Sequence, residues 1–123
     1  MSSDNGFRAY VGLAAEEVED GVARVVLVAA DQHHNANGTV HGGALATMLD
    51  AAMGTAVGTT IEEGDRPVTV AMTVTYLEPA KPGRLVATAR IRKQGKRLTI
   101  VEGEIEQDGA VVADATATFA TTG

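Results

Sequence analysis

Two glycines, a histidine and a carboxylate stand in an order that could perform hydrolysis. Gly42 and Gly43 follow His41 and open a run, Ala44 to about Val57, in which Leu45, Met48, Leu49, Ala52 and Ala56 recur at helical spacing. The first amides of a helix have no partner inside it and sit at the positive end of its dipole, so they can stabilise an oxyanion. A glycine pair at that point lets a carbonyl approach the backbone with no Cβ in the way. Asp50 lies about two turns further in. At about 100° per residue it shares a face with Gly43, Ala46, Thr47, Met53, Gly54 and Val57, most of them small. A charge in so apolar a helix costs on the order of several kcal/mol unless it is paired or neutralised. Asp50 is therefore either a structural carboxylate held by a neighbouring loop or a catalytic one with room for a substrate beside it.

The residues around this core narrow the chemistry. Asn35, Asn37 and His41 precede the helix and could hydrogen-bond a carbonyl or a water, although Asn37, next to Gly38, reads as a turn residue. His33, His34 and His41 with Asp31 or Asp50 lack any metal-ligand spacing, so no metal is expected. Neither GxxxxGK[ST] nor GxGxxG occurs, which leaves those modes of nucleotide binding without support. There is no Cys, and the only serines are Ser2 and Ser3. Disulfides, thiolate sites and Cys or internal Ser nucleophiles are excluded, so hydrolysis would fall to a carboxylate.

Charge is distributed unevenly. The formal net charge is −6, which argues against a protein whose whole surface binds nucleic acid. Yet seven of the ten Lys and Arg lie between Pro79 and Val101, with no Asp or Glu among them: Lys81, Arg84, Arg90, Arg92, Lys93, Lys96 and Arg97. The stretch suits a solvated hairpin tip, and it suits a small polyanion equally.

These groups must be positioned by 123 residues, enough for one domain and one core. That core is Ala- and Val-rich with only Phe7, Tyr10, Tyr76 and Phe119 as aromatics, so subunit association could complete it. Glu19-Asp20-Gly21 predicts a turn between an apolar stretch at 11–18 and a strand from Val22 to Val28. After the helix the period becomes two: Val68, Val70, Met72, Val74 and Tyr76 alternate with Thr69, Ala71, Thr73 and Thr75. Pro79 to Gly83 breaks this strand, and Leu85–Arg92, Leu98–Glu106 and Val111–Phe119 follow, so that the strand after the helix and these three are expected to form an antiparallel meander with turns at Gln94-Gly95 and Asp108-Gly109. One helix and an antiparallel sheet make the class α+β. The stretch from Gly42 to Ile61 is apolar enough to suggest a membrane span, but Asp50 at its centre would cost roughly 3 kcal/mol to insert. With Asp4 early and no apolar run following, no signal peptide is expected, and the protein is expected in the cytoplasm.

The run His34-Asn35, then Gly38-Thr39-Val40-His41-Gly42-Gly43 through Asp50, resembles the hot-dog fold acyl-CoA thioesterases of the phenylacetate-pathway type. In that family an Asn lies six residues before the His of an HGG motif and an acid nine residues after it, and Asn35, His41 and Asp50 match. The segment Val68–Leu77 with Pro79 and Gly83 is similar to the family's strand after the helix, and the likeness continues to about Phe119. The resemblance implies an antiparallel sheet wrapped round one long helix across residues 1–123, in a homodimer or a dimer of dimers. Asp50 of one copy would then face Asn35, His41 and Gly42 of the other. It also implies thioester hydrolysis, with the Gly42 amide, helped by Gly43 or His41, as oxyanion donor. Asp50 would be general base or nucleophile, Asn35 would orient water or carbonyl, and Thr69 would bond the Asp50 carboxylate or a water. Coenzyme A is then part of the substrate rather than a cofactor, and Arg90, Lys93, Lys96 and Arg97 are candidates for its phosphates. A hot-dog dehydratase or hydratase and a non-enzymatic acyl-CoA sensor are the alternatives.

Overall fold

The computed structural model describes residues 6–123, so the reading of Ser2, Ser3 and Asp4 lies outside the described residues. A short helix α1 (Phe7–Val11) precedes the hairpin β1 (Ala14–Glu19) and β2 (Val22–Ala29), and a 3-10 turn at Asp31–His33 leads to the long helix α2 (Gly42–Gly58). Four strands follow, β3 (Arg66–Tyr76), β4 (Gly83–Gln94), β5 (Leu98–Gln107) and β6 (Ala110–Thr122). All neighbours are antiparallel in one six-stranded sheet of order β1-β2-β4-β5-β6-β3.

The apolar stretch expected at 11–18 divides in two. Gly12, at φ 96°, ends α1 in the left-handed region that a side chain disfavours, and the strand begins only at Ala14. A second difference concerns the meander. β3 does not pair with β4 but lies at the far edge beside β6, while β4 joins β2. The connection through Pro79 and Pro82 crosses the end of the sheet. It is tied down there by Leu77 N–H to the Val112 carbonyl, Val40 N–H to the Ala80 carbonyl, and both backbone groups of Lys81 to the Gln107 amide.

Helix α2 lies along one face of the sheet and is apolar nearly all round, as a helix buried on several sides must be. Small residues on that face, Ala23, Ala87, Ala89, Ala113, Ala115 and Ala117, admit it closely, and Leu27, Leu85, Ile105 and Phe119 fill the space beside them. The half of the Asp50 face that follows it, Met53, Gly54 and Val57, is buried; a Cβ on Gly54 would sit 3.3 Å from the Phe119 ring. Only the preceding half, Gly43, Ala46 and Thr47, retains exposure.

The simple alternation expected in β3 also fails at one point, and that point matters. Thr69 pairs with Phe119 and Ala71 with Thr118, leaving Val70 as an extra residue in a β-bulge. The bulge reverses parity, so Thr69, not Val68 or Val70, shares the helix-facing side with Met72, Val74 and Tyr76.

Candidate active site

Asp50 stands in the middle of α2 with its carboxylate toward β3, where the Thr69 hydroxyl donates to Oδ1 at 2.6 Å. The bulge at Val70 is what turns Thr69 to this position. Oδ2 has no partner among the described residues, so one carboxylate oxygen is held and the other is free to act.

At the start of the helix His41 is the N-cap. Its Nδ1 accepts the Gly43 N–H at 2.7 Å, which requires the lone pair on Nδ1 and leaves Nε2 to carry the proton. The Gly43 amide expected to contact substrate is therefore already occupied. The Gly42 N–H has no acceptor among the described residues and is the open donor at this helix end. Both glycines sit against a neighbouring side chain: a Cβ would lie 3.2 Å from the Tyr76 ring at position 42 and 2.9 Å from His41 Nδ1 at position 43, so a side chain at either position requires that neighbour to shift. Tyr76 was not among the residues singled out from the sequence, yet its hydroxyl donates to the Gly42 carbonyl at 2.9 Å. The one signal available for it was its place on the same strand as Thr69.

Asn35 shapes the loop before the helix. Its Oδ1 accepts the N–H groups of Asn37 and Thr39, and its Nδ2 donates to the Thr39 hydroxyl. One Nδ2 hydrogen is left over, so Asn35 can donate to a ligand oxygen but its own carbonyl is committed. His33 is buried and structural, taking the Ala30 N–H on Nδ1 and donating from Nε2 to the Val11 carbonyl at 2.6 Å. Among the described residues no group of three or more His, Cys, Asp or Glu is placed to hold a metal.

The basic stretch is less uniform in space than along the chain. Arg90 lies opposite Glu102 on the sheet face away from α2, Arg92 approaches Glu102 at 3.7 Å, and Arg84 pairs with Glu16 at 2.8 Å. Lys93 faces the same outer side opposite Ile100, while Lys96 and Arg97 sit at the exposed β4–β5 tip. Lys93, Lys96 and Arg97 have no ion-pair partner among the described residues. Glu62 and Asp65 border the cleft beside Lys96.

The geometry fixes one further point. Gly42 and Asp50 are eight residues apart on one straight helix, about 12 Å at 1.5 Å per residue. A single carbonyl cannot reach the amide of one and the carboxylate of the other within the same chain.

Comparison with known proteins is decisive at the level of family. The family model described as Thioesterase superfamily matches residues 37–114, which include Gly42, Asp50, Thr69 and Tyr76. The chain belongs to the thioesterase superfamily. This superfamily member is similar to acyl-coenzyme A thioesterase 13 of Mus musculus, 43% identical over 76 residues that are 61% of this chain and 54% of the relative. It thus spans about half the length of that enzyme. Acyl-coenzyme A thioesterase PaaI of Escherichia coli is 31% identical over 96 residues, 77% of this chain and 66% of the relative. The solved structure of the E. coli PaaI protein superposes with a TM-score of 0.87 at 29% identity, covering 94% of this chain and 83% of that one. The structure of conserved protein PA5202 from Pseudomonas aeruginosa gives 0.91 at 32% identity, covering 98% and 94%. The six-stranded antiparallel sheet around one helix in this superfamily member is the hot-dog fold.

Proposed function

We propose that the chain hydrolyses acyl-CoA or aryl-CoA thioesters to the free acid and coenzyme A, in sites assembled from two copies. The observation that carries this reading is the division of the catalytic set: an open amide at Gly42 and a hydroxyl-held carboxylate at Asp50, about 12 Å apart on one helix. A second copy brings the two halves together. Strand β3 offers the seam: it is an edge strand eleven residues long, with Val68, Val70 and Tyr76, and Leu77 just beyond its end, each about half exposed. Such an edge calls for a partner.

In this site the Gly42 N–H takes the acyl oxygen as it becomes an oxyanion, with Asn35 Nδ2 as a further donor. Asp50 of the facing copy uses its free Oδ2 on water as a general base or on the acyl carbon as a nucleophile. Its Oδ1 stays fixed by Thr69 in both routes. In the first route Asp50 takes a proton from water as the oxygen attacks, the C–S bond breaks, and that proton passes to the leaving thiolate. In the second the C–S bond breaks as a mixed anhydride forms on Asp50, and water then hydrolyses the anhydride, freeing the acid and Asp50 and supplying the thiolate's proton. Coenzyme A enters as part of the substrate and no separate cofactor takes part. Lys93, Lys96 and Arg97 at the β4–β5 tip are the cations best placed for its phosphates, and Arg90, facing Glu102, is the weakest of the four candidates.

The test is release of coenzyme A from acetyl-, hexanoyl-, palmitoyl- and phenylacetyl-CoA, followed with a thiol reagent. The chain has no Cys to contribute background. Hydrolysis by the wild type and loss in Asp50→Asn support the reading. Full activity in Asp50→Asn contradicts it, and saturable acyl-CoA binding without thiol release points to a sensor. Among the described residues no helix is long and apolar enough to cross a membrane, which accords with the cytoplasmic location we propose.

A further inference from the structure

We infer that Tyr76 is a positioning residue for the oxyanion donor, acting with His41 as a two-sided clamp on the Gly42–Gly43 peptide; this rests on the hydrolytic reading of the site. The two ends of that single peptide group are held by side chains from different parts of the chain. Its carbonyl, from Gly42, accepts the Tyr76 hydroxyl at 2.9 Å, and its N–H, from Gly43, donates to His41 Nδ1 at 2.7 Å. Hydrogen bonds at opposite ends of one amide fix its plane. The donor N–H of Gly42 belongs to the preceding His41–Gly42 peptide, so the clamp acts on it through the Gly42 Cα, by restricting rotation about that residue's backbone.

The need for a clamp follows from the glycine. Gly42 keeps the approach to its N–H clear, but glycine is the residue with the most backbone freedom to lose, so by itself it would hold the donor loosely. The Tyr76 ring supplies the missing restraint. It packs closely against the point where a Cβ on Gly42 would stand, with Cζ, Cε1 and the hydroxyl oxygen all within 3.3 Å of that point. Within one copy half of Tyr76 is exposed, and its hydroxyl is aimed at this carbonyl. The same strand carries Thr69, which holds Asp50, so β3 orients both halves of the site: the carboxylate through one hydroxyl and the amide through another. A misplacement on the order of 1 Å at a reacting group can cost about 100-fold in rate, and loss of one of two restraints should cost less.

Tyr76→Phe removes the hydroxyl and keeps the ring. Steady-state kinetics on the best ester of the four-substrate panel should show kcat lowered about tenfold with KM changed less than about twofold, because the clamp acts on the donor and not on ground-state binding. In 15N-labelled protein the Gly42 and Gly43 amide resonances should shift and the Gly42 amide should exchange faster with solvent, while the melting temperature stays near that of wild type. Wild-type kcat in Tyr76→Phe, measured beside an inactive Asp50→Asn, overturns the inference and leaves the hydrolytic reading standing. Full activity in Asp50→Asn sinks the hydrolytic roles instead. Unchanged Gly42 and Gly43 resonances overturn the clamp whatever the kinetics.

Discussion

Thr69→Val is the most informative single perturbation of the acid half of the site. Valine has nearly the shape of threonine and suits a strand at least as well, so the fold should lose no more than the contribution of the hydroxyl itself, about 1.5 kcal/mol at this exposed position. What disappears is one hydrogen bond of 2.6 Å to the Asp50 carboxylate. Hydrogen bonds to charged groups contribute roughly 1.5–3 kcal/mol, and solvent access at this position favours the lower end. If that contribution orients Oδ2 in the transition state, about 1.5 kcal/mol becomes about a tenfold fall in kcat. Thiol release measures the rate and a thermal melt measures the fold in the same preparation. Thr69→Ser, which restores the hydroxyl, should recover most of the activity. A Thr69→Val protein with kcat within twofold of wild type would refute the role assigned to this hydroxyl. So would a loss that Thr69→Ser fails to recover.

Other positions give independent checks. Thr99 is fully buried and its hydroxyl has no partner among the described residues, so Thr99→Val should raise stability by about 1 kcal/mol in urea or thermal unfolding. His33→Ala leaves the Val11 carbonyl and the Ala30 amide unpaired beside a cavity and should cost about 3 kcal/mol by the same measurement, with no direct effect on chemistry at Asp50. Gly43→Ala places a Cβ 2.9 Å from His41 Nδ1; it should break the cap, costing about 1 kcal/mol in stability and lowering kcat as well. Val70→Lys puts a charge on the exposed apolar edge of β3, and sedimentation should show dissociation toward the monomer together with lost activity.

The parts of this structure that were legible in the sequence are the local ones. Periods of 3.6 and 2 located α2 and five of the strands, because burial of one face writes itself into neighbouring residues. What escaped depended on distant partners. The placement of β3 beside β6 is decided by a crossing connection, and nothing within 68–76 distinguishes an edge beside β6 from one beside β4. The bulge at Val70 appears only against the register of Phe119 and Thr118, so strict alternation would have turned Thr69 away from the helix. Its contact with Asp50 was suggested by family resemblance and by no property of the strand itself. Likewise, a stretch free of acids along the chain acquires Glu102 as a neighbour once β5 pairs with β4. The Gly43 amide is taken up by the His41 side chain, which folds back two residues, a rotamer choice that composition does not record.

The central claim is that neither half of the site works without the other copy's half, and mixing two inactive variants tests it most directly. Asp50→Asn removes the carboxylate. Gly42→Pro removes the amide donor at the first helical position, where proline's fixed φ is tolerated and the preceding residue, His41, already has an extended backbone. A Cβ at this position lies 3.2 Å from the Tyr76 ring, so Tyr76 must give way to admit the new side chain. Each variant alone should be inactive. After the two are unfolded and refolded together, half the dimers are mixed and each mixed dimer has one intact site of two, so about a quarter of wild-type thiol release should return. If the mixture stays as inactive as its components while wild-type protein treated in the same way recovers, Asp50 and Gly42 do not act across a pair of copies and the account is wrong.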